Sequence, residues 1–452
     1  MNPTFDVIVI GGGPSGMMTA GQASLKGARV LLLEKNNRLG KKLLLTGNER
    51  CNLTQAQFNI RTLVKSYGDA GKFLFSAFSS FGPKDVMKFF ESIGVKLKTE
   101  ANGRVFPKND SAREVVNAFE KFLYKVGVKI QLEANVKKIF SSSFVIPAKA
   151  GIQSSVLSKS LDSRPRSESK TSFHGNDNCD NVWEIELADG KKIQAKNLVI
   201  ATGGLSYPHT GSTGIGLEWA RALGHKIVDT VPALVPIKVK EKWIEQLRGV
   251  SLKDSELIAK QGKKIIATEQ GQILFTHFGL SGPTVLNISK KIILARRAGE
   301  VEIFINFFPD LDKAELDKKL QDEFKKEGSK LVKNVLDNLL PYALVEKILE
   351  LAKIKIERKA GEVTKTERTK IVELIGAFKL SMTGDLGFMA SMVTGGGVAL
   401  AEIDQKTMRS KIHDNLYFTG EVLDIDGPTG GYNLQVAWST GFVAGNSVSS
   451  PS

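Results

Sequence analysis

Scarce cysteine and the absence of a long apolar run exclude two classes of protein at the outset. The only cysteines in 452 residues are Cys51 and Cys179, which excludes a disulfide framework and favours a reducing cytoplasm. No apolar stretch approaches the roughly 18–20 residues of a membrane-spanning helix, so no membrane partner is expected. The first apolar segment is interrupted by Asp6 and follows no basic segment, so we expect no signal peptide.

The sequence also lacks the side-chain sets that carry hydrolytic or metal-dependent chemistry. We find no convincing Ser-His-Asp set, no zinc-ligand spacing and no pair of catalytic carboxylates. We therefore expect no metal and no protein nucleophile, and we leave the catalytic residues unassigned.

The charge is one-sided, since 63 Lys and Arg oppose 48 Asp and Glu for a net charge of +15. Such a charge attracts anions, including nucleic acid. The lysines are scattered and form no basic run interleaved with aromatic residues, so nucleic acid is not favoured as a partner. We expect a small-molecule substrate and a monomer or homodimer.

A glycine-rich segment between two apolar runs is the strongest motif in the chain. Residues 5–10 predict a buried strand, residues 11–16 (GGGPSG) satisfy G-x-G-x-x-G, and an apolar helical segment follows at 17–25. A second strand at 30–33 ends at Glu34. The order of strand, glycine turn, helix, strand and acid predicts a dinucleotide-binding domain.

Each residue type in this motif has a physical role. Gly11 permits the tight turn, Gly13 lets the backbone approach a pyrophosphate, and Gly16 lets the helix pack closely on the strand. The start of the helix presents free N–H groups and a positive dipole end to phosphates. Glu34 can accept hydrogen bonds from a ribose without a 2′-phosphate, so FAD and NAD both remain candidates.

A polar loop follows the acid. Its Lys41, Lys42 and Arg50 could face phosphate or an anionic flavin edge, and Gly47 permits a close backbone approach. Cys51 in this loop is either a reactive thiolate beside the cations or, as we favour, a small half-buried filler.

Two later segments are expected to return to the same cofactor. A strand at 198–201 runs into an A-T-G-G turn, which by analogy commonly contacts the dinucleotide in two-domain flavoproteins. No second glycine motif occurs between a strand, a helix and an acid, so NADH or NADPH would dock only transiently as donor. Near the C-terminus, a strand at 416–418 and the glycines at 430–431 precede a last helix whose N-terminus would stabilise a reduced flavin.

This motif order predicts an α/β fold with a discontinuous cofactor domain. The predicted parts are a Rossmann-type dinucleotide-binding domain at 1–228 and 384–452, for which the family resemblance given below implies FAD, an inserted antiparallel β domain resembling a barrel at 229–310, and a small helical domain at 311–383.

Two further features of the sequence carry predictions. The serine-rich segment 141–181 interrupts a predicted hairpin of residues 136–139 with 183–187, and we expect it to be a disordered insertion. His277 in the β domain is either a general acid near the flavin or, as we favour, a structural histidine hydrogen-bonded at a strand-to-turn junction.

Several ordered motifs resemble a bacterial flavoprotein family. The segments that carry the resemblance follow Glu34 and include LVIATGGLSYPHTGSTGIG, GQILFTHFGLSGPTVLNIS, TGGGVALAEID and NLYFTGEVLDIDGPTGGYNLQVAWSTG. They are similar to NAD(P)/FAD-dependent oxidoreductases of the family that includes aminoacetone oxidase and a bile-acid-precursor reductase, along nearly the whole chain. The family usually has glycine before the Arg-Cys-Asn triplet, where this chain has Glu49.

The resemblance implies FAD as cofactor, a small organic substrate bound over the flavin, and an acid that binds the ribityl chain, here Glu421. It implies either reduction of a conjugated enone, with NADH or NADPH as candidate donor, or oxidation of a small amine by oxygen. A tRNA-modifying flavoprotein and a non-catalytic flavin-binding protein stay as alternatives. The predicted FAD-binding residues are Gly11, Gly13, Pro14, Ser15, Gly16, Glu34, Lys35, Lys42, Thr46, Gly47, Arg50, Cys51, Asn52, Ala201, Thr202, Gly203, Gly420, Glu421, Asp426, Gly430, Gly431, Tyr432 and Asn433.

Overall fold

The computed structural model describes residues 4–141 and 182–448. Apart from its first residue, the segment that we predict to be a disordered insertion lies outside the described residues. The first part of the chain contains β1 (Phe5–Ile10), α1 (Pro14–Leu25), β2 (Val30–Leu33), β3 (Thr54–Gln55), α2 (Ile60–Lys65), α3 (Gly71–Ser80), α4 (Pro83–Ser92), β4 (Leu97–Thr99), β5 (Arg104–Pro107), α5 (Ala112–Lys125), β6 (Lys129–Gln131), β7 (Val136–Ser141), β8 (Trp183–Leu187), β9 (Lys192–Ile200) and α6 (Ile215–Ala222).

The second part of the chain contains β10 (Ile227–Ala233), β11 (Ile237–Val239), β12 (Ser251–Gln261), β13 (Lys264–Phe275), β14 (Gly279–Ser281), α7 (Pro283–Arg296), β15 (Glu302–Asn306), α8 (Lys313–Lys326), α9 (Val332–Leu336), α10 (Tyr342–Ala352), α11 (Lys365–Gly376), β16 (Phe378–Asp385), β17 (Val393–Val398), β18 (Leu416–Phe418) and α12 (Tyr432–Ser447). None of the described helices is both long and apolar enough to cross a bilayer.

The largest sheet has the strand order β6-β2-β1-β9-β8-β7, and β18 pairs with the end of β9. The strands β6, β2, β1, β9 and β18 run parallel. At their carboxyl ends, Ile10 of β1 is paired with Leu33 of β2 and with Ile200 of β9, and Ile200 is in turn paired with Phe418 of β18. Because these strands end in one row, the residues that follow them emerge together at one edge of the sheet.

The parallel strands are buried on both faces, which explains their continuous apolar sequences. Along β1, Val7 and Val9 pack into one core, whereas Ile8 and Ile10 pack into the core on the opposite face. This alternation is the period of two that a strand imposes on its side chains. The predicted hairpin is also present, since β7 pairs antiparallel with β8 and places Ile139 opposite Ile185.

The two ends of the chain meet in the same domain, where α12 packs along α1. A Cβ at Gly441 would lie 2.5 Å from the carbonyl oxygen of Ser15, and a Cβ at Gly445 would lie 2.6 Å from that of Thr19. Only glycine permits this backbone approach, because any side chain would overlap the neighbouring helix. The prediction of a discontinuous Rossmann-type α/β domain is confirmed.

Between these two halves, six strands close into a barrel in the order β11-β14-β13-β12-β15-β16. The closing strand β16 lies after the helices, and all but its last two residues fall inside the stretch 311–383 that we assigned to the helical domain. Its Phe378, Leu380 and Met382 point into the barrel core, as the inward half of a barrel strand requires. The helices are therefore inserted between two barrel strands, and the domain boundaries themselves stay a prediction.

The helical part and the barrel share one apolar core, which includes Leu316, Leu320 and Ile371 of the helices together with Phe378 and other barrel residues. Two helices begin at capping boxes that the sequence encodes locally, since Asp312 is paired with Glu315 at α8 and Thr364 with Glu367 at α11. The ribbon of β10 with β17 joins this inserted part to the cofactor domain.

A buried Ser-His-Glu array lies at the far side of the cofactor domain, although the sequence analysis predicted no convincing triad. The Nδ1 atom of His225 lies 3.1 Å from Glu402 Oε2, and its Nε2 atom lies 3.0 Å from Ser410 Oγ. The Ser410 hydroxyl also accepts hydrogen bonds from two backbone N–H groups, those of residues 412 and 413. His225 and Ser410 are each only 3% exposed. The array therefore joins two segments of backbone and has no surface from which to attack a substrate.

This array predicts an acid-sensitive contribution to stability. Burial lowers the pKa of His225, while the Glu402 carboxylate partly opposes that shift. Because the unfolded histidine titrates near about 6.5, the unfolded state gains a proton first as the pH falls below that value. The free energy of unfolding should then fall by up to about 1.4 kcal/mol per pH unit until the lower folded-state pKa is reached.

Denaturant unfolding between pH 7.5 and 5 measures this slope. A His225→Gln variant should lose this contribution to the slope, whatever its absolute stability, because glutamine does not titrate. The matched variant is His277→Gln, which removes an exposed histidine and controls for the loss of one imidazole from the chain. Parallel profiles for wild type and His225→Gln would contradict the assignment.

Candidate functional site

A cavity of about 550 Å³ opens at the edge of the sheet where the parallel strands end. One wall is formed by the glycine turn after β1, by the residues that follow β2 and β9, and by the segment that leads into α12. The opposite wall is formed by the connection between β10 and β11, by the start of α7 and by the start of β17, all of which lie next to the barrel. Open α/β sheets bind their ligands at this edge, and the volume suits a small-molecule site.

Most of the predicted FAD-binding residues line this cavity. They are Gly11, Gly13, Pro14, Ser15, Glu34, Lys35, Lys42, Thr46, Gly47, Arg50, Asn52, Ala201, Thr202, Gly203, Glu421, Gly430, Gly431 and Asn433. Their grouping agrees with the prediction that segments far apart in sequence meet at one cofactor. Their individual contacts with FAD stay a prediction.

The glycine turn has the geometry of a phosphate cradle. Gly11 has φ +111°, and a Cβ there would lie 2.4 Å from the Ala201 carbonyl oxygen. A Cβ on Gly16 would lie 1.9 Å from the Gly11 carbonyl oxygen, so Gly16 is required for packing within the protein and does not line the cavity. A Cβ on Gly13, by contrast, would meet no protein atom within 4 Å. Gly13 therefore sets the distance between the backbone and a ligand.

Glu34 is held facing this turn by backbone and side-chain donors. Its Oε2 atom accepts a hydrogen bond from the Gly12 N–H at 2.7 Å, and its Oε1 atom accepts from the Asn36 N–H at 2.8 Å and from Asn36 Nδ2 at 2.6 Å. Asn36 also donates to the Thr210 carbonyl at 2.9 Å. Burial lowers the pKa of Lys35 beside it, while the charge of Glu34 opposes the shift. Asn36, which sequence reasoning missed, thus links the acid to the loop after β9.

A second acid, Glu421, joins three separate segments of the chain. Its carboxylate accepts hydrogen bonds from Lys42 Nζ at 2.6 Å, from Ser206 Oγ at 2.5 Å and from the Thr394 N–H at 2.9 Å. Lys42 also donates to Ser206 Oγ at 2.7 Å. Because the Lys42 and Glu421 side chains are both largely buried, this network fixes the wall of the cavity where the two domains meet.

Two buried oxygens in the cavity wall fit a polar cofactor. Asn52 Oδ1 and Thr202 Oγ1 have no hydrogen-bond partner among the residues that the structure describes, although both residues line the cavity. Buried acceptors without partners are rare in folded proteins, so such atoms indicate a ligand. The flavin and ribityl groups of FAD carry N–H and O–H donors of the required kind. Together with the glycine cradle, these residues fit FAD.

The start of α12 completes the polar side of the cavity. Gly430, Gly431 and Asn433 line it, so the free N–H groups and positive dipole end of the helix face the cavity. Asn433 secures the preceding turn, because its Oδ1 accepts from the Gly427 N–H at 2.8 Å and its Nδ2 donates to the Gly427 carbonyl at 2.9 Å. This helix end can stabilise negative charge on a bound flavin.

The remaining predicted residues contact the protein around the site. Gly420 lies against Ser15, since a Cβ there would be 2.4 Å from Ser15 Oγ. Asp426 is paired with Lys290 of α7, and the Tyr432 ring packs edge-on against Tyr67. These residues are absent from the cavity lining, so they shape the wall. The sequence motif could not distinguish these residues from their cavity-lining neighbours, because it shows only which residues are close together along the chain.

The loop before Cys51 differs from its sequence interpretation. Arg50 is paired with Glu100 and, at 2.7 Å, with Asp110, and its guanidinium lies 3.9 Å from the Phe106 ring centroid. Its charge is thus already compensated, although Arg50 still lines the cavity. Cys51 is fully buried, and burial raises the pKa of its thiol to about 12. A reactive thiolate is therefore wrong, and the filler interpretation describes this residue, which is more deeply buried than expected.

Glu49 occupies a backbone conformation that suits glycine, the residue expected there from the family resemblance. Its φ is +66°, and its side chain is exposed. A left-handed conformation costs a non-glycine residue about 1–2 kcal/mol, part of which is offset by the greater freedom of unfolded glycine. Glu49→Gly should therefore raise the free energy of unfolding by about 0.5–1 kcal/mol.

The matched control for this variant is Asn48→Gly. Asn48 has φ +56°, but asparagine tolerates this conformation, so the change should be near zero. Chemical denaturation of both variants at one FAD concentration measures the difference. Equal effects of the two substitutions would show that the strain at Glu49 is relieved by other contacts.

The barrel side of the cavity is apolar, which sequence reasoning did not predict residue by residue. Its lining residues there are Leu234, Pro283, Leu286, Met392 and Val393. Tyr207, from the loop after β9, lines the same cavity. The predicted alternatives for His277 both differ from the structure, because its side chain is exposed, lies outside the cavity lining and contacts the Phe278 ring edge-on.

Ala134, Asn135 and Val136 also line the cavity and were missed. They follow β6, which is parallel to β2, so recognising β6 as a parallel strand would have placed them at the same sheet edge. Within residues 4–141 and 182–448, no three metal-ligand side chains cluster.

Known proteins resemble this chain along nearly its whole length. The HI0933-like protein Rossmann domain matches residues 5–161 and 155–447. A 3-dehydro-bile acid delta(4,6)-reductase of Clostridium scindens is 30% identical over 97% of each chain. A ribosomal RNA dihydrouridine synthase of Escherichia coli (strain K12) is 30% identical over 96% of each chain. The solved 3-ketosteroid delta1-dehydrogenase of Sterolibacterium denitrificans aligns with 98% of this chain and 99% of its own, at 12% identity and a TM-score of 0.49.

The family match and the two relatives each span nearly the whole chain, including both halves of the cofactor domain. The predictions of this flavoprotein family and of an FAD-dependent oxidoreductase are confirmed. The chain belongs to the HI0933-like Rossmann family.

Proposed function

We propose that this enzyme uses FAD to reduce a carbon–carbon double bond conjugated to a carbonyl group. The observation that carries the proposal is a cavity with a polar cofactor side and an apolar barrel side, in which a flat apolar substrate can lie against the flavin. The bile-acid relative is named for reduction of such a conjugated system. The second relative is named a ribosomal RNA dihydrouridine synthase, and the uracil ring from which dihydrouridine would form also has a double bond conjugated to a carbonyl.

The residues of the polar side divide the binding of FAD among them. The glycine turn and the start of α1 would hold the pyrophosphate, and Glu34 would hold the adenosine ribose. Glu421 and Asn52 would contact the ribityl chain or the flavin ring. The N-terminus of α12 would stabilise negative charge on that ring. When bound and reduced, FAD supplies a hydride.

The apolar side would bind the substrate by burial of its hydrocarbon surface. Leu234, Leu286 and Met392 present no hydrogen-bonding groups, so they favour an apolar ring system. Their contacts also exclude water from the flavin face, which protects a transferable hydride. This arrangement supports binding of a small organic substrate, which the polar groups at the rim of the cavity would orient.

The electron donor is part of the proposal. We infer that NADH or NADPH reduces the flavin by docking transiently, because the described residues contain one parallel sheet with one glycine turn of this kind. The alternative is an oxidase that an amine reduces directly and that oxygen reoxidises. The two differ in which compound bleaches the flavin.

An anaerobic spectral titration tests the proposal. The flavin should bleach on addition of NADH or NADPH, and its absorbance should return on addition of a 3-oxo-4-ene steroid in the absence of oxygen. Protein reduced with dithionite separates a missing donor from a missing substrate. If reduced protein regains its absorbance only with oxygen, and aminoacetone bleaches it directly, the enzyme is an amine oxidase and the proposal is wrong.

A second candidate substrate is a uridine of ribosomal RNA. Besides the name of the Escherichia coli relative, the charge distribution favours it, since residues 1–141 hold 22 Lys and Arg against 11 Asp and Glu. Most of the net charge of +15 therefore lies in the part of the chain that forms one wall of the cavity. This asymmetry was not weighed in our prediction that nucleic acid is not favoured.

Incubation of the reduced enzyme with unmodified ribosomal RNA tests this candidate. Nucleoside mass spectrometry should detect a uridine that has gained two hydrogens. Binding should weaken steeply with salt, because phosphate contacts release counterions. Absence of dihydrouridine together with turnover of the steroid enone would assign the enzyme to small molecules.

A further inference from the structure

One tyrosine in the cavity has a strained backbone and an unused hydroxyl. Tyr207 has φ +51° and ψ +59°, a left-handed conformation that costs a residue with a side chain about 1–2 kcal/mol. Its N–H donates to the Phe388 carbonyl at 3.0 Å, and its carbonyl accepts from the Thr210 N–H at 2.8 Å and from Thr210 Oγ1 at 2.7 Å. The surrounding chain thus enforces the strain, and such strain is concentrated at functional sites.

The phenol of Tyr207 has no hydrogen-bond partner within the described residues, in contrast to the Lys42, Ser206 and Thr429 donors nearby. Tyr207 is half-buried and lines the cavity, and its hydroxyl makes no hydrogen bond with any residue that the structure describes. The Lys42 ammonium and the Ser206 hydroxyl are both bound to Glu421. The Thr429 hydroxyl, at the rim, donates to Asn287 Oδ1. Tyr207 therefore presents an O–H group at the cavity without an internal acceptor. The Thr202 hydroxyl is also unpartnered, but a phenol is a stronger acid than an aliphatic alcohol and is the better proton donor.

Tyr207 also lies close to the apolar side that would hold the substrate. Its backbone N–H is hydrogen-bonded to the Phe388 carbonyl. The same chain segment continues to Met392, whose N–H donates to the Leu234 carbonyl at 3.2 Å. Leu205 and Ser206 before it donate backbone N–H groups to Thr394 Oγ1 at 2.8 and 3.1 Å. The tyrosine is thus anchored to both walls of the cavity, which is the placement that a catalytic acid requires.

We propose that Tyr207 is the catalytic acid that protonates the substrate. This assignment rests on the proposed reduction of a conjugated double bond. Bound FAD in its reduced form would supply a hydride to the β-carbon of the substrate, and the π-electron pair would move toward the carbonyl to leave an enolate. The α-carbon of the enolate then takes the proton of the Tyr207 hydroxyl. The O–H bond breaks as the C–H bond forms, and the tyrosinate regains a proton from water.

A Tyr207→Phe variant tests this assignment in separate half-reactions. The variant keeps the ring and the backbone, so FAD content, melting temperature and the rate of reduction by dithionite should match the wild type. Reoxidation of the reduced flavin by the 3-oxo-4-ene steroid should slow by about 100-fold or more, the usual contribution of a general acid. Affinity for the unreactive saturated ketone, followed by perturbation of the flavin spectrum, should change by less than about threefold, since packing is retained.

The matched control is His209→Phe in the same loop. Its ring lies 5.7 Å from that of Tyr207, and its side chain is exposed and outside the cavity lining, so reoxidation should be unchanged. A Tyr207→Phe rate within threefold of wild type would overturn the assignment while leaving the proposed function intact. If wild type is reoxidised by neither the enone nor ribosomal RNA, the proposed function fails, and the role of Tyr207 as substrate acid fails with it.

Discussion

Gly16→Ala is expected to destabilise the protein by about 3 kcal/mol before any ligand is considered. The added methyl would lie 1.9 Å from the carbonyl oxygen of Gly11 and 3.2 Å from the Ala201 side chain. Both neighbours belong to strand ends in the centre of the parallel sheet, so α1 would have to move away from β1. Loss of soluble protein, or a midpoint shift in denaturant with FAD in excess, measures the effect.

Gly13→Ala is the matched substitution, and its expected effect is on FAD alone. The residue has φ −80° and ψ −178°, which alanine adopts without strain, and a Cβ there meets no protein atom within 4 Å. The methyl would instead occupy the space that a pyrophosphate needs, so the dissociation constant for FAD should rise about tenfold or more. The apoprotein should unfold at the same denaturant concentration as wild type. Wild-type FAD affinity in this variant would contradict the cradle assigned to residues 11–16.

Glu421→Ala is expected to cost about 2 kcal/mol of folding stability and to weaken FAD binding. The substitution leaves Lys42 without its carboxylate partner at 2.6 Å and the Thr394 N–H without its acceptor at 2.9 Å. Both groups are largely shielded from water, so neither loss is fully compensated. Chemical denaturation without FAD separates the stability effect from the loss of cofactor contacts.

The control for this network is a surface ion pair of the helical part. Glu373 pairs with Lys313 at 2.9 Å, but both side chains are more than half exposed, so Glu373→Ala should change stability by less than about 0.5 kcal/mol. A double-mutant cycle of Glu421→Ala with Lys42→Met should show strong coupling. Additive effects in that cycle would show that the Lys42 contact contributes little to the wall of the cavity.

The cofactor side of the site could be predicted because its geometry is encoded by local sequence. Residues 11–16 specify a turn by backbone conformation alone, and Glu34 follows at a spacing that the βαβ unit fixes. The structure brings that acid within 2.7 Å of the Gly12 N–H. The position of residues 201–203 and of Glu421 beside the glycine turn could be inferred because parallel strands end at one edge of the sheet. For these segments, sequence order and spatial order are linked by simple rules.

The rest depended on contacts between segments distant in sequence. Nothing near Arg50 in the sequence indicates that Glu100 and Asp110 compensate its charge. The barrel strand β16 follows directly after α11, and only its pairing with β11 and β15 identifies it as part of the barrel. The strain at Tyr207 is likewise set by Phe388 and Thr210, which the motif itself does not reveal.

The packing of α12 on α1 has a consequence for the order in which the protein becomes functional during synthesis. The barrel and its helices bury a core of their own, so this part can fold while the ribosome is still translating the C-terminal residues. The cofactor domain is completed later, because β18 and the glycines at 441 and 445, which pair with β9 and pack on α1, follow the barrel along the chain. Nascent chains thus leave the apolar face of α1 uncovered until α12 has been made, so we expect FAD to be captured only after α12 has packed on α1.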